Sequence, residues 1–449
     1  MGRRGRRNKN REPITVKLTQ LAPKGAVGLD EQGRSWRVWG APIGSTVSAW
    51  PGRKHTARRI ELIEPAPNMQ DPPCPIFGLC GGCQFQEMEL DPQRAAKLEM
   101  VERLVDHPSE PIRGADQGYG YRNKLELSFG VRRYLPEDEK DGDPQGNWLG
   151  FHPPGWFSKI VPVSRCELAS EGINEAIAVL FEDLPQPAWD NQSHTGHWRH
   201  VVFRQGEQLV VNLVTHPDVD EAQVTAVAQR LGALEHVGGV VWTVTDRVSD
   251  VASGETAAVL YGESTVDFEM DGVRLRLPHQ AFFQVNTAGA RILFETIREA
   301  LGPSSGATLL DLYCGVGAIG LVLGRAYERV LGVELVEPAI EVARENAALN
   351  GVVSEWYAGT VESVLPKLEL SGAKHVVVDP PRAGLHPKAA QFLATLDAEV
   401  LVYVACSPAS LGRDKLVLEE GGWSMERLWT VDLFPQTPHV EAVARFVRG

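Results

Sequence analysis

Between residues 12 and 66 the runs ITVKLTQL, SWRVWGA, STVSAW and ARRIELIE alternate apolar with polar positions and are broken by Gly and Pro turns. A period of two marks strands with one buried face. Short strands at such close spacing predict a small closed or nearly closed barrel of the OB type. The Pro-rich joint EPAPNMQDPP follows, and PQRAAKLEMVERLV beyond it reads as a helix. From 67 to 279 the pattern is mixed α+β: VVFRQGEQLVVNLVT reads as a strand pair turning at Gly206, and PEDEKDGDPQGN as an exposed acidic loop. From 280 to 449 the rhythm changes. TLLDLY, RVLGVE, HVVVDP and EVLVYVAC are short continuous apolar runs set between helical stretches such as PAIEVARENAAL. Strands apolar on both faces, alternating with helices, predict a parallel sheet covered on both sides, a doubly wound, Rossmann-like α/β domain. The expected division is therefore a tail (1–11), a barrel (12–66), a central α+β domain (67–279) and a doubly wound domain (280–449).

Composition adds a class. A chain of 449 residues, 43% hydrophobic and 23% charged, is a globular protein of several domains. No apolar stretch approaches the roughly 18 residues that a membrane helix needs. With no apolar segment after the start MGRRGRRNKNREP, the expectation is a cytoplasmic protein with no membrane partner. The net charge of −13 argues against a polyanion as partner, but its distribution argues for one. Residues 1 to 70 hold 14 Lys and Arg against 5 Asp and Glu, a net +9 that leaves −22 for the remainder. A basic end of this kind suits nucleic acid, and it equally suits a solvated tail.

Ligands of open α/β sheets bind beyond the carboxyl ends of the strands, so the candidate chemistry lies in the residues that end each apolar run. The first run leads into DLYCGVGAIG, the second into Glu334, a later one into DPPRAG and the next into Cys406. Gly315, Gly317 and Gly320 allow a tight turn and close approach of a ligand, and Glu334 stands at the distance expected for grasping a ribose diol. GVGAIG also fits the dinucleotide fingerprint, which keeps an oxidoreductase in contention. Asp311 ahead of the turn and DPPR further on suit S-adenosylmethionine better. Asp379-Pro-Pro is followed by Arg382 rather than by an aromatic residue, which points away from amino-group methylation and toward a ring carbon.

That chemistry has a use for a thiol. Uracil C5 is too weakly nucleophilic to attack a methyl sulfonium, whereas a thiolate added at C6 turns the ring into an enolate that can. Cys406, in YVACSPASLGRD, is either that nucleophile or a buried thiol ending a strand. A base must then remove the C5 proton, and PHVEAVARF offers Glu441, with His439 nearby, unless Glu441 is merely a solvated charge. Three of the other cysteines, Cys74, Cys80 and Cys83, fall in CPIFGLCGGC, and Cys166 could add a fourth thiolate. Four thiolates hold iron and sulfide or zinc; one close pair rather than two favours a [4Fe-4S] cluster.

Taken together, CPIFGLCGGC, YRNK (Tyr121 to Lys124), FFQVN (Phe282 to Asn286), DLYCGVG, DPPRAG, YVACSPASLGRD and FPQTPHVE closely resemble the S-adenosylmethionine-dependent RNA uracil-C5 methyltransferases, over nearly the whole chain. The resemblance implies a TRAM module for the barrel, Cys406 as nucleophile and Glu441 as base. It implies contacts to S-adenosylmethionine from Gln284, Tyr313, Gly315, Gly317, Glu334 and Asp379, and stacking of the target uracil on Phe282, with Arg382 and His439 beside the substrate. It implies a [4Fe-4S] cluster on Cys74, Cys80, Cys83 and Cys166, and leaves Cys314 to packing. The implied partner is RNA, with large-subunit ribosomal RNA favoured over transfer RNA, bound by a monomer. Ala318 stands where some members have an asparagine after CGxG, and Thr360 stands at the usual polar position after the next strand; both weaken side-chain contacts to S-adenosylmethionine.

Overall fold

The computed structural model describes residues 12–67, 69–135, 145–304, 307–370 and 373–448. The basic tail of residues 1–11 and most of the acidic loop lie outside the described residues. Five strands, β1 (Ile14–Ala22), β2 (Gly25–Asp30), β3 (Ser35–Trp39), β4 (Thr46–Pro51) and β5 (Thr56–Glu64), close into a barrel in the order β1-β2-β3-β5-β4. Val16, Leu18, Val38, Val47 and Ala49 fill its interior, as the period-two pattern requires. The strand that pattern does not announce is β2, GAVGLD. A side chain at Gly28 would put its Cβ 1.9 Å from the Lys17 carbonyl oxygen, so a residue poor in strand propensity is what lets β2 close against β1.

Helix α1 (Leu90–Val105) packs Met100, Val101 and Val105 against Leu411, Leu418 and Leu428 of the C-terminal region. The central sheet is built from β6 (Lys124–Arg132), β7 (Gln145–Phe151), β8 (Val161–Pro162), β9 (Trp198–Gln205), β10 (Leu209–Thr215), β11 (Val237–Val244) and β12 (Glu255–Gly262), in the order β12-β11-β10-β9-β6-β7-β8. Helices α2 (Glu171–Glu182) and α3 (Glu221–Gly232) cover one face, and β9 and β10 form the expected antiparallel pair. The hairpin of β13 (Thr265–Met270) and β14 (Val273–Pro278) packs Val266, Phe268, Leu275 and Leu277 with Leu293 and Phe294. The C-terminal core thus reaches back past residue 280.

That core surrounds a second seven-stranded sheet. Along the chain it runs α4 (Thr287–Leu301), β15 (Thr308–Leu312), α5 (Ala318–Gly324), β16 (Arg329–Glu334), α6 (Glu337–Asn350), β17 (Ser354–Ala358), α7 (Val361–Val364), β18 (Ala373–Val378), α8 (Pro387–Thr395), β19 (Val400–Ala405), α9 (Pro408–Glu420), β20 (Trp423–Val431) and β21 (Glu441–Arg448). The strand order is β17-β16-β15-β18-β19-β21-β20. Alternate residues go to opposite faces. Leu309, Val377, Val402 and Val404 pack with α4, α5 and α6, while Leu310, Val376, Leu401 and Tyr403 pack with α1, α8 and α9. Burial on both sides explains the continuous apolar runs. β15 to β19 are parallel, as expected. The departure is at the end of the sheet, where β21 runs antiparallel between β19 and β20; a direct connection from β20 needs no crossover helix. The order reverses between β15 and β18, which opens a crevice at their carboxyl ends. No helix among the described residues is long and apolar enough to cross a membrane.

Candidate active site

The crevice begins at the turn after β15. Tyr313 has φ 60°, a left-handed conformation that a bulky residue adopts only where its surroundings impose it. Asp311, fully buried, accepts a hydrogen bond from Gly320 N at 2.8 Å on Oδ2 and so ties the turn to the start of α5. Burial pushes its carboxyl up to about 7, with Asp379 and Glu334 adding to the effect. Two glycines in the turn do different work. At Gly317 (φ 76°) a Cβ would meet the Trp356 ring at 2.8 Å, whereas at Gly315 (φ 54°) nothing lies within 4 Å. Gly317 serves packing, and Gly315 borders open space.

Glu334 closes the other side. Its Oε2 accepts from Gly315 N at 3.1 Å and its Oε1 from Val336 N at 3.0 Å, which leaves a further lone pair on each oxygen. Next to it Leu335 and Val336 are 65% and 53% exposed. A carboxylate able to accept from a vicinal diol thus adjoins an apolar ledge able to hold a flat ring. Sequence reading missed the ledge, because two apolar residues after a strand look like ordinary core.

Cys406 and Glu441 are brought together by register. The β19–β21 ladder ends on the pair Ala405–Ala442; Cys406 follows directly on one strand and Glu441 precedes directly on the other, near enough for the Glu441 charge to act on the thiol. Glu441 is buried; loss of water pushes its carboxyl well above the usual range, Asp379 adds to this and the Arg382 guanidinium opposes it. Burial pushes Asp379 up to about 7. The half-buried Cys406 thiol is pushed up to about 11, first by burial, then by Glu441 and Asp379, again against Arg382. His439 falls to about 4 through burial and the nearby charges of Arg382, Lys97 and Arg122, so it is neutral at pH 7. Cys406 in the unliganded protein is therefore a protonated thiol. Its alkylation by iodoacetamide, followed by peptide mass spectrometry, should accelerate about tenfold per pH unit between about pH 7 and 10, because only the thiolate reacts.

Asp414, which the motif reading passed over, supports this group. Its Oδ2 accepts from Leu385 N and from the Tyr403 hydroxyl, both at 2.7 Å, and its Oδ1 accepts from Arg413 Nε at 2.9 Å. Helix α9 is thereby joined to β19 and to the DPPRAG loop, and Ser410 Oγ adds a contact at 3.1 Å to the Arg382 carbonyl oxygen. The signal was present: an acid buried at the end of YVACSPASLGRD must find partners.

The FFQVN segment is tied to the loop that precedes β21. Phe282 is 72% exposed, while Phe283 is buried with its ring 4.7 Å from that of Phe268. The Gln284 carbonyl oxygen accepts from Asn123 Nδ2 at 3.0 Å, and Asn286 Nδ2 donates to the Leu433 carbonyl oxygen at 2.9 Å. Among the described residues no hydrogen bond or ring contact joins Phe282 or Gln284 to Cys406 or Glu441.

Cys74, Cys80, Cys83 and Cys166 line one cavity, together with Phe77, Leu125, Arg122 and Glu167. All four are free thiols. Burial pushes the Cys74 thiol up to about 11 and Cys83 to about 12, and shifts Cys80 and Cys166 the same way. Among the described residues no three His, Cys, Asp or Glu side chains converge as a site for a single metal ion. Cys314 lies in the C-terminal core.

The tRNA (uracil-5-)-methyltransferase family profile matches residues 157–355 and 366–447. The chain is 34% identical to an uncharacterized RNA methyltransferase of Caldanaerobacter subterraneus subsp. tengcongensis, over 96% of this chain and 98% of that one. It is 35% identical to an uncharacterized RNA methyltransferase of Chlorobaculum tepidum, over 88% and 86% of the two chains. Among solved structures, it is similar to the Pyrococcus abyssi tRNA (uracil-54, C5)-methyltransferase in complex with S-adenosyl-L-homocysteine: 25% identity, 96% and 99% of the chains covered, TM-score 0.77.

Proposed function

Since the chain belongs to the tRNA (uracil-5-)-methyltransferase family and is an RNA (uracil-5-)-methyltransferase, we propose that it methylates C5 of one uridine through a covalent adduct on Cys406. An oxidoreductase, the competing sense of GVGAIG, has no place in that family. S-Adenosylmethionine supplies the methyl group as a sulfonium, and Gln284, Tyr313, Gly315, Gly317, Glu334 and Asp379 would hold it. The target base leaves its stack to reach the crevice; Phe282 offers its exposed ring to it, with Arg382 and His439 alongside. Cys406 Sγ adds to C6 as its proton passes to Asp379, a carboxyl whose charge bears on the thiol. C5 of the resulting enolate takes the methyl. Glu441 then removes the C5 proton; its raised pKa makes it a stronger base than an exposed carboxylate. The electrons left behind expel Cys406 Sγ, which restores the ring double bond and frees 5-methyluridine in the RNA. The single observation that supports this reading is that the β19–β21 ladder ends at Ala405 and Ala442, next to Cys406 and Glu441, with the Glu441 charge bearing on the thiol.

Cys74, Cys80, Cys83 and Cys166, four thiols around one cavity, would hold a [4Fe-4S] cluster, for which four thiolates are a fitting donor set. Bound there, the cluster would brace residues 74–83 against Cys166. The barrel, read as a TRAM module, and this cavity resemble enzymes of large-subunit ribosomal RNA, which we take as the substrate, in the cytoplasm. A second reading, transfer RNA, is favoured by the tRNA (uracil-54, C5)-methyltransferase to which the chain is structurally similar. Protein isolated without oxygen, mixed with S-adenosylmethionine and unmodified transcripts of each RNA, should yield 5-methyluridine in the ribosomal transcript and carry equal amounts of iron and acid-labile sulfide. Product only in transfer RNA selects the second reading, and product in neither overturns both.

A further inference from the structure

Residues 432–440 lead from β20 into Glu441, and they are held by a buried polar network whose donors lie on elements remote in sequence. Lys97 and Asp432 have no exposed side-chain surface, and Lys97 Nζ stands 2.6 Å from Asp432 Oδ1 and 3.0 Å from the Phe434 carbonyl oxygen. Gln93, also fully buried, makes a reciprocal pair with Gln436. Its Nε2 donates to Gln436 Oε1 and its Oε1 accepts from Gln436 N, both at 2.9 Å. The Gln436 carbonyl oxygen accepts from Gln84 N at 2.8 Å and Phe85 N at 3.2 Å, directly after Cys83. The Tyr121 hydroxyl donates to the Pro435 carbonyl oxygen at 2.9 Å. Gln436 itself is left-handed, with φ 68°, a conformation that persists only where neighbours over-determine it.

A buried ion pair and a buried amide pair are weak sources of stability and strong sources of uniqueness, since any other placement of the loop leaves a charge or an amide without a partner. What they make unique here is the approach to Glu441. Cys406 has different supports, β19 and the Asp414 links of α9. We infer that Gln93, Lys97 and Gln436 are positioning residues for proton abstraction: they set the loop that carries Glu441 and His439, while the addition step is set elsewhere. This rests on the mechanism proposed above.

The test separates the two steps. Full-length Gln93→Leu and Lys97→Met variants are mixed with S-adenosylmethionine and the transcript that the parent methylates, and methyl transfer into RNA and release of free product are timed in a single turnover. Methyl transfer should stay within about threefold of the parent, release should slow by at least about tenfold, and a denaturation-resistant protein–RNA adduct should accumulate with KM for RNA unchanged. Equal slowing of both steps, or no change in either, overturns the inference. Should Lys97→Met not fold, Lys97→Met/Asp432→Asn removes the charges of the pair together, keeps an amide oxygen for Arg94, which stands 3.5 Å from Asp432 Oδ2, and is held to the same criterion. If Glu441→Gln in the parent background forms no adduct, the mechanism beneath has failed; if it does and these variants do not, only the positioning role has.

Discussion

Replacing Cys406 by Ala should abolish 5-methyluridine formation, with turnover falling at least about 10⁴-fold. Without sulfur at C6 the uracil ring stays aromatic and its C5 cannot displace a sulfonium-bound methyl. No neighbouring thiol can stand in. Cys314 is packed in the core, and Cys74, Cys80, Cys83 and Cys166 surround their own cavity. The variant should still bind S-adenosylhomocysteine within about twofold of the parent, because the diol-facing carboxylate, Glu334, and the Gly315 turn belong to β16 and β15 rather than to β19. Nucleoside mass spectrometry reads the first outcome and calorimetry the second. Residual turnover within a factor of ten of the parent would remove the covalent step from the mechanism.

Glu441→Gln should act later in the same cycle. Glutamine keeps the volume and accepts no proton, so addition and methyl transfer proceed and elimination stalls. Turnover should fall about 10²- to 10⁴-fold, and RNA should remain attached to protein in a denaturing gel, carrying label from methyl-labelled S-adenosylmethionine. Stability supplies an independent readout. A carboxyl whose folded pKa lies well above 4.5 binds more protons folded than unfolded, so its contribution falls as pH rises from about 4.5 toward the folded value. Removing the ionisable group should therefore leave the variant melting at or above the parent's temperature at pH 8, the opposite of what a damaged fold would show. No adduct with Cys406 intact would count against Glu441 as the base.

Much of the fold was legible along the chain. TLLDLY, RVLGVE, HVVVDP and EVLVYVAC became β15, β16, β18 and β19, because strands buried on both faces must be apolar at every position. PAIEVARENAAL became α6, started by Pro338 and ended by Gly351 at φ 64°, both local signals. β2 was hidden because its glycines answer to a neighbouring strand rather than to their own propensity. The antiparallel place of β21 was hidden as well, since an apolar run carries no mark of its direction.

The same division runs through the site. Sequence alone determined which groups each strand end delivers, from the Gly-rich turn and Glu334 to DPPRAG and Cys406, because spacing within one element is written in consecutive residues. Only the tertiary structure decided that the Glu441 charge bears on Cys406, that Gln93 and Lys97 grip the loop ahead of it, and that Asp311, Asp379 and Glu441 hold protons more tightly than free carboxyls do. Those properties arise from partners far apart in the chain and from the exclusion of water, and neither exists until the strands have paired.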